Sequence, residues 1–364
     1  MSGRPPAPRE YLAGLPGYVA GSAARGSDGV PGAKLSSNES PYPLPRAMVD
    51  AMALAAAQAN RYPLDGGVLT ARLAARHSVP EEMVIVAGGS LELLRDLLAA
   101  YAGFDSEVVF GWRSYEAYPI LVQSAGARPV PVPLNDWRLD LAGVLAAVTP
   151  RTRLVLLANP NNPTGTASRP ADLERFATEL PERCLLVLDE AYCEYGERDL
   201  GPQGIALALN RPNLVVLRTF SKAYGLAGTR VGWGVAHPLV VQTLKQIALP
   251  FTLTAVAQAG ALAALDHETA LFAQVEETVS ERARVAGSLR TAGYTVPHSE
   301  ANFLWLPLGT GSQAFAEAVG TAGISVRCFP GDGVRVTIGT PAENSRLLDA
   351  AWSLRAQTRD RGGG

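Results

Sequence analysis

Six short runs in the first two thirds of the chain are apolar at successive positions rather than at alternate ones: residues 83–87, 108–110, 154–158, 185–189, 214–218 and 231–235. Strands that bury both faces read this way, as in a mainly parallel sheet covered by helices. Between several of them lie stretches with helical spacing, at 91–101, 170–180 and 239–247. The second opens on Pro170, which suits a first helical turn because its nitrogen has no hydrogen to leave unpaired. Alternation of strand and helix predicts an α/β fold in which helices flank the sheet. After about residue 268 the pattern changes: long periodic stretches at 271–292 and 313–321 flank strand-like runs at 302–306, 325–327 and 334–338. That predicts a second, smaller α+β unit. The opening segment to about residue 45 is punctuated by Gly14, Pro16, Gly17, Pro31, Gly32, Pro41, Pro43 and Pro45 and shows no clear element, so it is expected to wrap the surface as an arm. The tail at 361–364 is expected to be disordered.

Composition narrows the function classes. With 364 residues, 47% of them hydrophobic and 18% charged, the chain can fill a sizeable core and suggests two or more domains at roughly 150 residues each. Disorder, collagen and small disulfide scaffolds are excluded. A formal net charge of −2 gives no basic stripe for nucleic acid, and the clusters at 151–153 and 355–361 are short enough to be solvated surface or a frayed tail. Cys184, Cys193 and Cys328 are too few and too scattered to staple the fold or hold a metal, which fits a reducing compartment. The four histidines, His77, His237, His267 and His298, are far apart in sequence, so no metal site is expected. No apolar leader and no eighteen-residue apolar run occurs. A soluble cytoplasmic protein with no membrane partner is the expectation.

The segment Thr219-Phe220-Ser221-Lys222-Ala223-Tyr224-Gly225-Leu226-Ala227-Gly228-Thr229-Arg230 follows a predicted strand and carries the most chemistry. A lysine in such an apolar setting can be desolvated, which lowers its pKa and frees the amine as a Schiff-base nucleophile. Ser221 and Arg230 offer a hydroxyl and a guanidinium suited to an anchoring phosphate. Together they suggest pyridoxal phosphate; an exposed lysine beside a glycine turn is the plainer alternative. Glycine richness alone also suits a dinucleotide fold, but no GxGxxG separates the first strand from its helix.

Other segments shift the balance. Leu35-Ser36-Ser37-Asn38-Glu39-Ser40-Pro41, Arg61-Tyr62-Pro63, Gly88-Gly89-Ser90, Asn159-Pro160-Asn161-Asn162-Pro163-Thr164-Gly165, Asp189-Glu190-Ala191-Tyr192, the lysine segment, Ala301-Asn302-Phe303 and Val334-Arg335-Val336-Thr337-Ile338-Gly339 follow one another from residue 35 to residue 339. This ordered set resembles the fold type I pyridoxal-phosphate aminotransferases, and within them the branch of histidinol-phosphate and aromatic amino acid aminotransferases. The resemblance implies a large cofactor-binding domain over about residues 46–265, a small domain over 266–360, and an arm, 1–45, that packs with the small domain.

It also implies roles. Lys222 would form the Schiff base and shuttle the proton. Asp189 would keep the cofactor's pyridine nitrogen protonated and so preserve the ring as an electron sink. Asn162 and Tyr192 would reach the ring's phenolic oxygen. Gly89, Ser90 and Leu91 would receive the phosphate at a helix N-terminus, with Ser221 and Arg230. Leu91 stands where the family often has an acidic residue, which removes a side-chain contact but not the backbone ones. Tyr115 would stack on the ring, and Tyr118 follows one helical turn later, with ordinary packing an equal reading. Trp112 replaces the more widespread proline type, leaving this register uncertain by a residue. Tyr62 would reach the phosphate in a neighbouring subunit, which implies a homodimer with shared sites. Arg335 would take the substrate α-carboxylate as a planar fork, with Asn38 in the same pocket; Arg327 and Tyr18 could meet a distal anion.

The implied reaction is a ping-pong exchange of an amino group from a small-molecule donor to a 2-oxo acid, 2-oxoglutarate by resemblance. The segments 110–119 and 301–309 look more like the aromatic branch, so an aromatic amino acid is the favoured donor and histidinol phosphate the alternative. A decarboxylase or lyase would keep the same cofactor residues, and a non-catalytic regulator would need a further domain that no segment supplies.

Overall fold

The computed structural model describes residues 6–12, 14–18, 21, 32–197 and 204–362. After a 3-10 turn at Glu10–Leu12 come β1 (Ala33–Leu35), α1 (Arg46–Ala56), α2 (Gly67–His77), β2 (Val84–Ala87), α3 (Ser90–Tyr101), β3 (Glu107–Trp112), α4 (Ala117–Ser124) and β4 (Arg128–Pro133). Then follow α5 (Leu141–Ala146), β5 (Thr152–Ala158), α6 (Pro170–Glu179), β6 (Leu185–Asp189), α7 (Gly204–Asn210), β7 (Leu214–Thr219), β8 (Gly232–Val235), α8 (Pro238–Ile247) and α9 (Ala255–Asp266). The C-terminal third holds α10 (Glu268–Thr291), β9 (Phe303–Leu306), α11 (Ser312–Thr321), β10 (Ile324–Phe329), β11 (Gly333–Thr337) and α12 (Pro341–Gly362). No helix among the described residues is long and apolar enough to cross a membrane.

Seven strands form the large sheet in the order β2-β8-β7-β6-β5-β3-β4, and all run parallel except β8, which is antiparallel to both of its neighbours. The unbroken apolar runs have their reason in two cores. Val109, Val155, Leu157, Leu186, Leu188 and Val216 point to a face covered by α1, α2, α6 and α9. The intervening Val108, Phe110, Leu154, Leu156, Val187 and Leu217 point to the other face, under α3, α4 and α8. Each strand therefore buries both sides. The small sheet has the order β1-β10-β11-β9, with β1 parallel to β10 and the other pairs antiparallel, and packs on its own core with Val285, Leu289, Phe315 and Leu347.

Three expectations need correction. The opening segment is not without an element: Ala33 and Leu35 are buried in β1, which pairs with β10 over Ala33↔Ile324 to Leu35↔Val326. Strand β4, Arg-Pro-Val-Pro-Val-Pro, was hidden by its prolines; it lies at the sheet edge, where a missing N–H on the outer side costs nothing. At the other end α12 continues to Gly362, so residues 361 and 362 are helical, and 363–364 lie outside the described residues. Within the basic cluster, Arg355 is no frayed end: its guanidinium lies 4.2 Å from the Tyr294 ring centre.

Candidate active site

The parallel strands β2, β3, β5, β6 and β7 end along one edge of the large sheet, and each runs into a segment with chemistry: Gly88-Gly89-Ser90, Tyr115, Asn162, Asp189 with Tyr192, and Ser221-Lys222. The antiparallel β8 begins at that same edge, two residues after Arg230. Open α/β sheets gather ligands there because strand ends and helix starts converge on a crevice. The crevice is a cavity of about 210 Å³, closed on its far side by the arm and the small sheet. Every residue expected in the site lines it except Gly89 and Tyr62.

One end of the cavity is built for an anion. Helix α3 starts at Ser90 with no side-chain cap on its first turn, so its N–H groups face the crevice with the positive end of the helix dipole. Gly89 precedes it at φ 114°, and a Cβ there would sit 2.6 Å from Nη2 of Arg230. Gly232 is equally constrained, since a Cβ would lie 2.2 Å from the Ser90 nitrogen. Arg230 donates from Nη1 to Ser221 Oγ at 3.3 Å and to the Ala227 carbonyl at 3.1 Å. Two hydroxyls, a guanidinium and a helix start thus surround one small volume.

At the centre, Lys222 Nζ donates to the Asn38 carbonyl at 3.1 Å and the Ser37 carbonyl at 3.4 Å. Burial, followed by the nearby Arg335 and Arg230 guanidinium groups, lowers its pKa to about 7, against the opposing pull of Glu39 and Asp189. Both main causes disfavour the ammonium, so the amine is mostly neutral at slightly alkaline pH. In the apoprotein, the reactivity of this one lysine toward a small acylating reagent is expected to rise through about pH 7 and then level off. Peptide mapping across pH checks it; a midpoint near that of the surface lysines would refute the assignment.

Asp189 takes a hydrogen bond from the Tyr118 hydroxyl at 3.0 Å and one from the Ala191 N–H at 3.2 Å. Burial nevertheless holds its carboxyl above the ordinary value, so it is poised to gain from a cationic partner. Tyr192 is pushed up to about 12, chiefly by burial, and its hydroxyl accepts from Asn38 Nδ2 at 2.9 Å. Asn38 is itself anchored: its N–H donates to Thr337 Oγ1 at 2.9 Å, Thr337 Oγ1 donates back to Oδ1 at 3.0 Å, and Asn302 Nδ2 donates to its carbonyl at 3.2 Å.

The small sheet contributes arginines. Arg335, on the interior strand β11, donates from Nη1 to Asn162 Oδ1 at 2.6 Å and from Nη2 to the Ser36 carbonyl at 2.7 Å. Its buried Nε has no hydrogen-bond partner among the described residues. Asn162 therefore grips Arg335 here. Arg327 lines the same wall but is held by Glu116. Tyr18 stands edge-on to Tyr115 at 6.3 Å, and Tyr115 edge-on to Tyr118 at 5.7 Å.

Tyr62 stays outside. It is 79% exposed and stacks on Phe251, itself 56% exposed, at 4.4 Å. Reading the sequence missed Ser36, Glu116, Thr337 and Asn302 as contributors, and gave Tyr118 no firm role. The one local signal for Tyr118 was its three-residue spacing from Tyr115; its partner Asp189 lies 71 positions away. Among the described residues His298 does approach two carboxylates, Glu300 at 2.6 Å and Glu197 at 3.6 Å. Both Glu300 oxygens already have partners, His298 and the Glu197 N–H.

Residues 31–350 match the family model described as aminotransferase class I and II. The chain belongs to that family. This aminotransferase is 50% identical over 350 residues to an aromatic amino acid aminotransferase of Thermobifida fusca, covering 96% of this chain and 97% of the relative. A protein of the same name from Rhodococcus jostii is 50% identical over 357 residues, with 97% of each chain covered. The aminotransferase fold also matches a solved histidinol-phosphate aminotransferase from Sinorhizobium meliloti, in complex with pyridoxal-5'-phosphate, with a TM-score of 0.82, 30% identity, and 90% and 91% of the two chains covered.

Proposed function

We propose that this aminotransferase binds pyridoxal 5'-phosphate and moves an amino group from an aromatic amino acid to 2-oxoglutarate by a ping-pong route. The observation that carries the reading is Arg335: a buried guanidinium in the cavity wall, held flat by Asn162 and the Ser36 carbonyl, with Nε left over for a carboxylate. The cofactor fits the remaining donors. The uncapped start of α3, Ser90, Ser221 and Arg230 suit its phosphate, and the space a Cβ at Gly89 would fill lets it approach. Lys222 would hold it through the amine, Asp189 would pair with its ring nitrogen, and Tyr115, Asn162 and Tyr192 would line its ring. When bound, the group supplies an electron sink for the charge left on Cα.

The chain's own residues then do the following. Arg335 fixes the donor carboxylate and so orients the Cα–H bond. The neutral amine of Lys222 takes that proton and delivers it elsewhere as general acid and base. Tyr18 and Tyr115 offer ring faces and edges to a phenyl or phenol group. The two relatives at about half identity carry the aromatic name. The reading keeps an arm, a large unit over 46–265 and a small unit beyond, and assigns the enzyme to the cytoplasm, which three unpaired cysteines suit.

Initial rates over a panel of amino donors test the donor. Phenylalanine and tyrosine are expected to lead; a kcat/KM for histidinol phosphate well above both would replace the aromatic reading. Arg335→Ala is expected to lower kcat/KM for phenylalanine by about 10- to 100-fold, the cost of one charge-assisted pair, and by more than Arg327→Ala does. The reverse order would mean that the carboxylate sits elsewhere.

The exposed Tyr62–Phe251 stack supports a homodimer in which each Tyr62 serves the partner's site. Mixing Tyr62→Phe with Lys222→Ala subunits is expected to recover activity, because each heterodimer then holds one unaltered site. No recovery after verified subunit exchange would count against the shared site.

A further inference from the structure

Arg327 and Arg335 stand directly opposite each other in the antiparallel pairing of β10 with β11, so both side chains leave the same face of the small sheet, and both line the cavity. Like charges in that relation repel. The large unit answers with a carboxylate. Glu116, at the start of α4, accepts from both Nε (3.0 Å) and Nη2 (2.7 Å) of Arg327 on its one oxygen Oε2. The Arg327 side chain is only 13% exposed and that of Glu116 28%. Among the described residues Arg335 donates its hydrogen bonds to neutral groups, Asn162 and the Ser36 carbonyl.

A donor and an acceptor that take turns in one pocket make opposite demands on these charges. An aromatic amino acid brings one carboxylate, which Arg335 receives, and a ring that carries no charge to neutralise a second cation beside it. With Glu116 on Arg327, every charge on that wall is then balanced. A dicarboxylic 2-oxo acid brings two carboxylates and can satisfy both arginines itself, which leaves Glu116 surplus. Its partial exposure provides a way out to water.

We infer that Glu116 is a specificity-determining residue: its carboxylate occupies the anion position on Arg327 while a ring-bearing substrate is bound, and gives that position up to the distal carboxylate of the acceptor. The inference rests on the proposed function in one respect, that the two half-reactions share this pocket. It makes Glu116 an internal stand-in for the second carboxylate of the acceptor. Neutralising it should therefore move the two ligand classes in opposite directions, which general damage to the pocket cannot do.

The test uses the holoenzyme with two unreactive probes, glutarate as the dicarboxylate and 3-phenylpropanoate as the aromatic monocarboxylate, and measures Kd by calorimetry for the parent, Glu116→Gln and Arg327→Gln. Glu116→Gln is expected to tighten glutarate about tenfold and to weaken 3-phenylpropanoate several-fold, because the competing charge is gone and Arg327 loses that carboxylate beside the ring. Arg327→Gln is expected to weaken glutarate by roughly 10- to 100-fold and to change 3-phenylpropanoate little. Unchanged or weaker glutarate binding in Glu116→Gln would overturn the inference and make Glu116 a mere prop for Arg327. Glu116→Asp, which restores the charge, is expected to return both constants toward the parent values. Failure of the donor assignment looks different: the parent would not turn over phenylalanine, whereas the opposed shifts of the two probes would persist.

Discussion

Lys222→Ala is expected to stop multiple-turnover transamination altogether, a fall of at least about four decades, because the attachment point and the proton carrier vanish together. Among the described residues lining the cavity Lys222 is the one amine, so no other group can make that attachment. The fold should survive. The two carbonyls that Lys222 contacts lie on the arm, and the Asn38 carbonyl keeps Asn302 as a donor. The measurement is product formation over many enzyme equivalents, with thermal unfolding beside it. An alanine variant that folds like the parent and still turns over at more than a trace of its rate would sink the assignment of Lys222.

Asp189→Asn is the second large effect, expected at roughly two to three decades in kcat, since a fixed charge aimed at a developing one in a dry site is worth that much. Asparagine has the same shape and can still accept from the Ala191 N–H, while its Nδ2 must donate to the Tyr118 hydroxyl where Oδ2 accepted, so the charge is removed and one hydrogen bond is reversed. Tyr118→Phe separates charge from placement. It deletes one of two hydrogen bonds to the carboxylate and should cost about 1 kcal/mol, less than one decade. Equal losses in the two variants would mean that Asp189 acts through its position and not its charge.

What the sequence disclosed follows from how local each feature is. Strand β6 was legible to the residue because four apolar positions end in an aspartate, and Lys222 stood out as an amine in an apolar, glycine-marked stretch. The anion cradle was legible because a strand, two glycines and a helix lie within a few residues. The arm was not, because Ala33-Lys34-Leu35 is three residues long and becomes a strand only when β10 arrives from nearly 300 positions away. Glu116 was invisible for the same reason. A glutamate between a tyrosine and an alanine says nothing until Arg327, 211 positions on, is folded against it. Prolines disguised β4, since their meaning depends on whether a strand lies at an edge.

The Asn38 crossroads also sets when this protein can first work during its own synthesis. Its N–H and Oδ1 meet Thr337, while its amide meets Tyr192 and its carbonyl meets Lys222. A nascent chain emerging from a ribosome holds the lysine, the aspartate and the phosphate cradle once α3 to β8 have left the exit tunnel. The residue that roofs them was made far earlier, meets Tyr192, Lys222 and Asn302 first, and gains its two bonds to Thr337 only when β11, the last strand to be translated, arrives. Such long-range closure is slow and all-or-none. Truncated products ending before β11 therefore carry the reactive amine under an arm that lacks its Thr337 anchor, and without Arg335 in the cavity wall, so activity arrives only with the final strand.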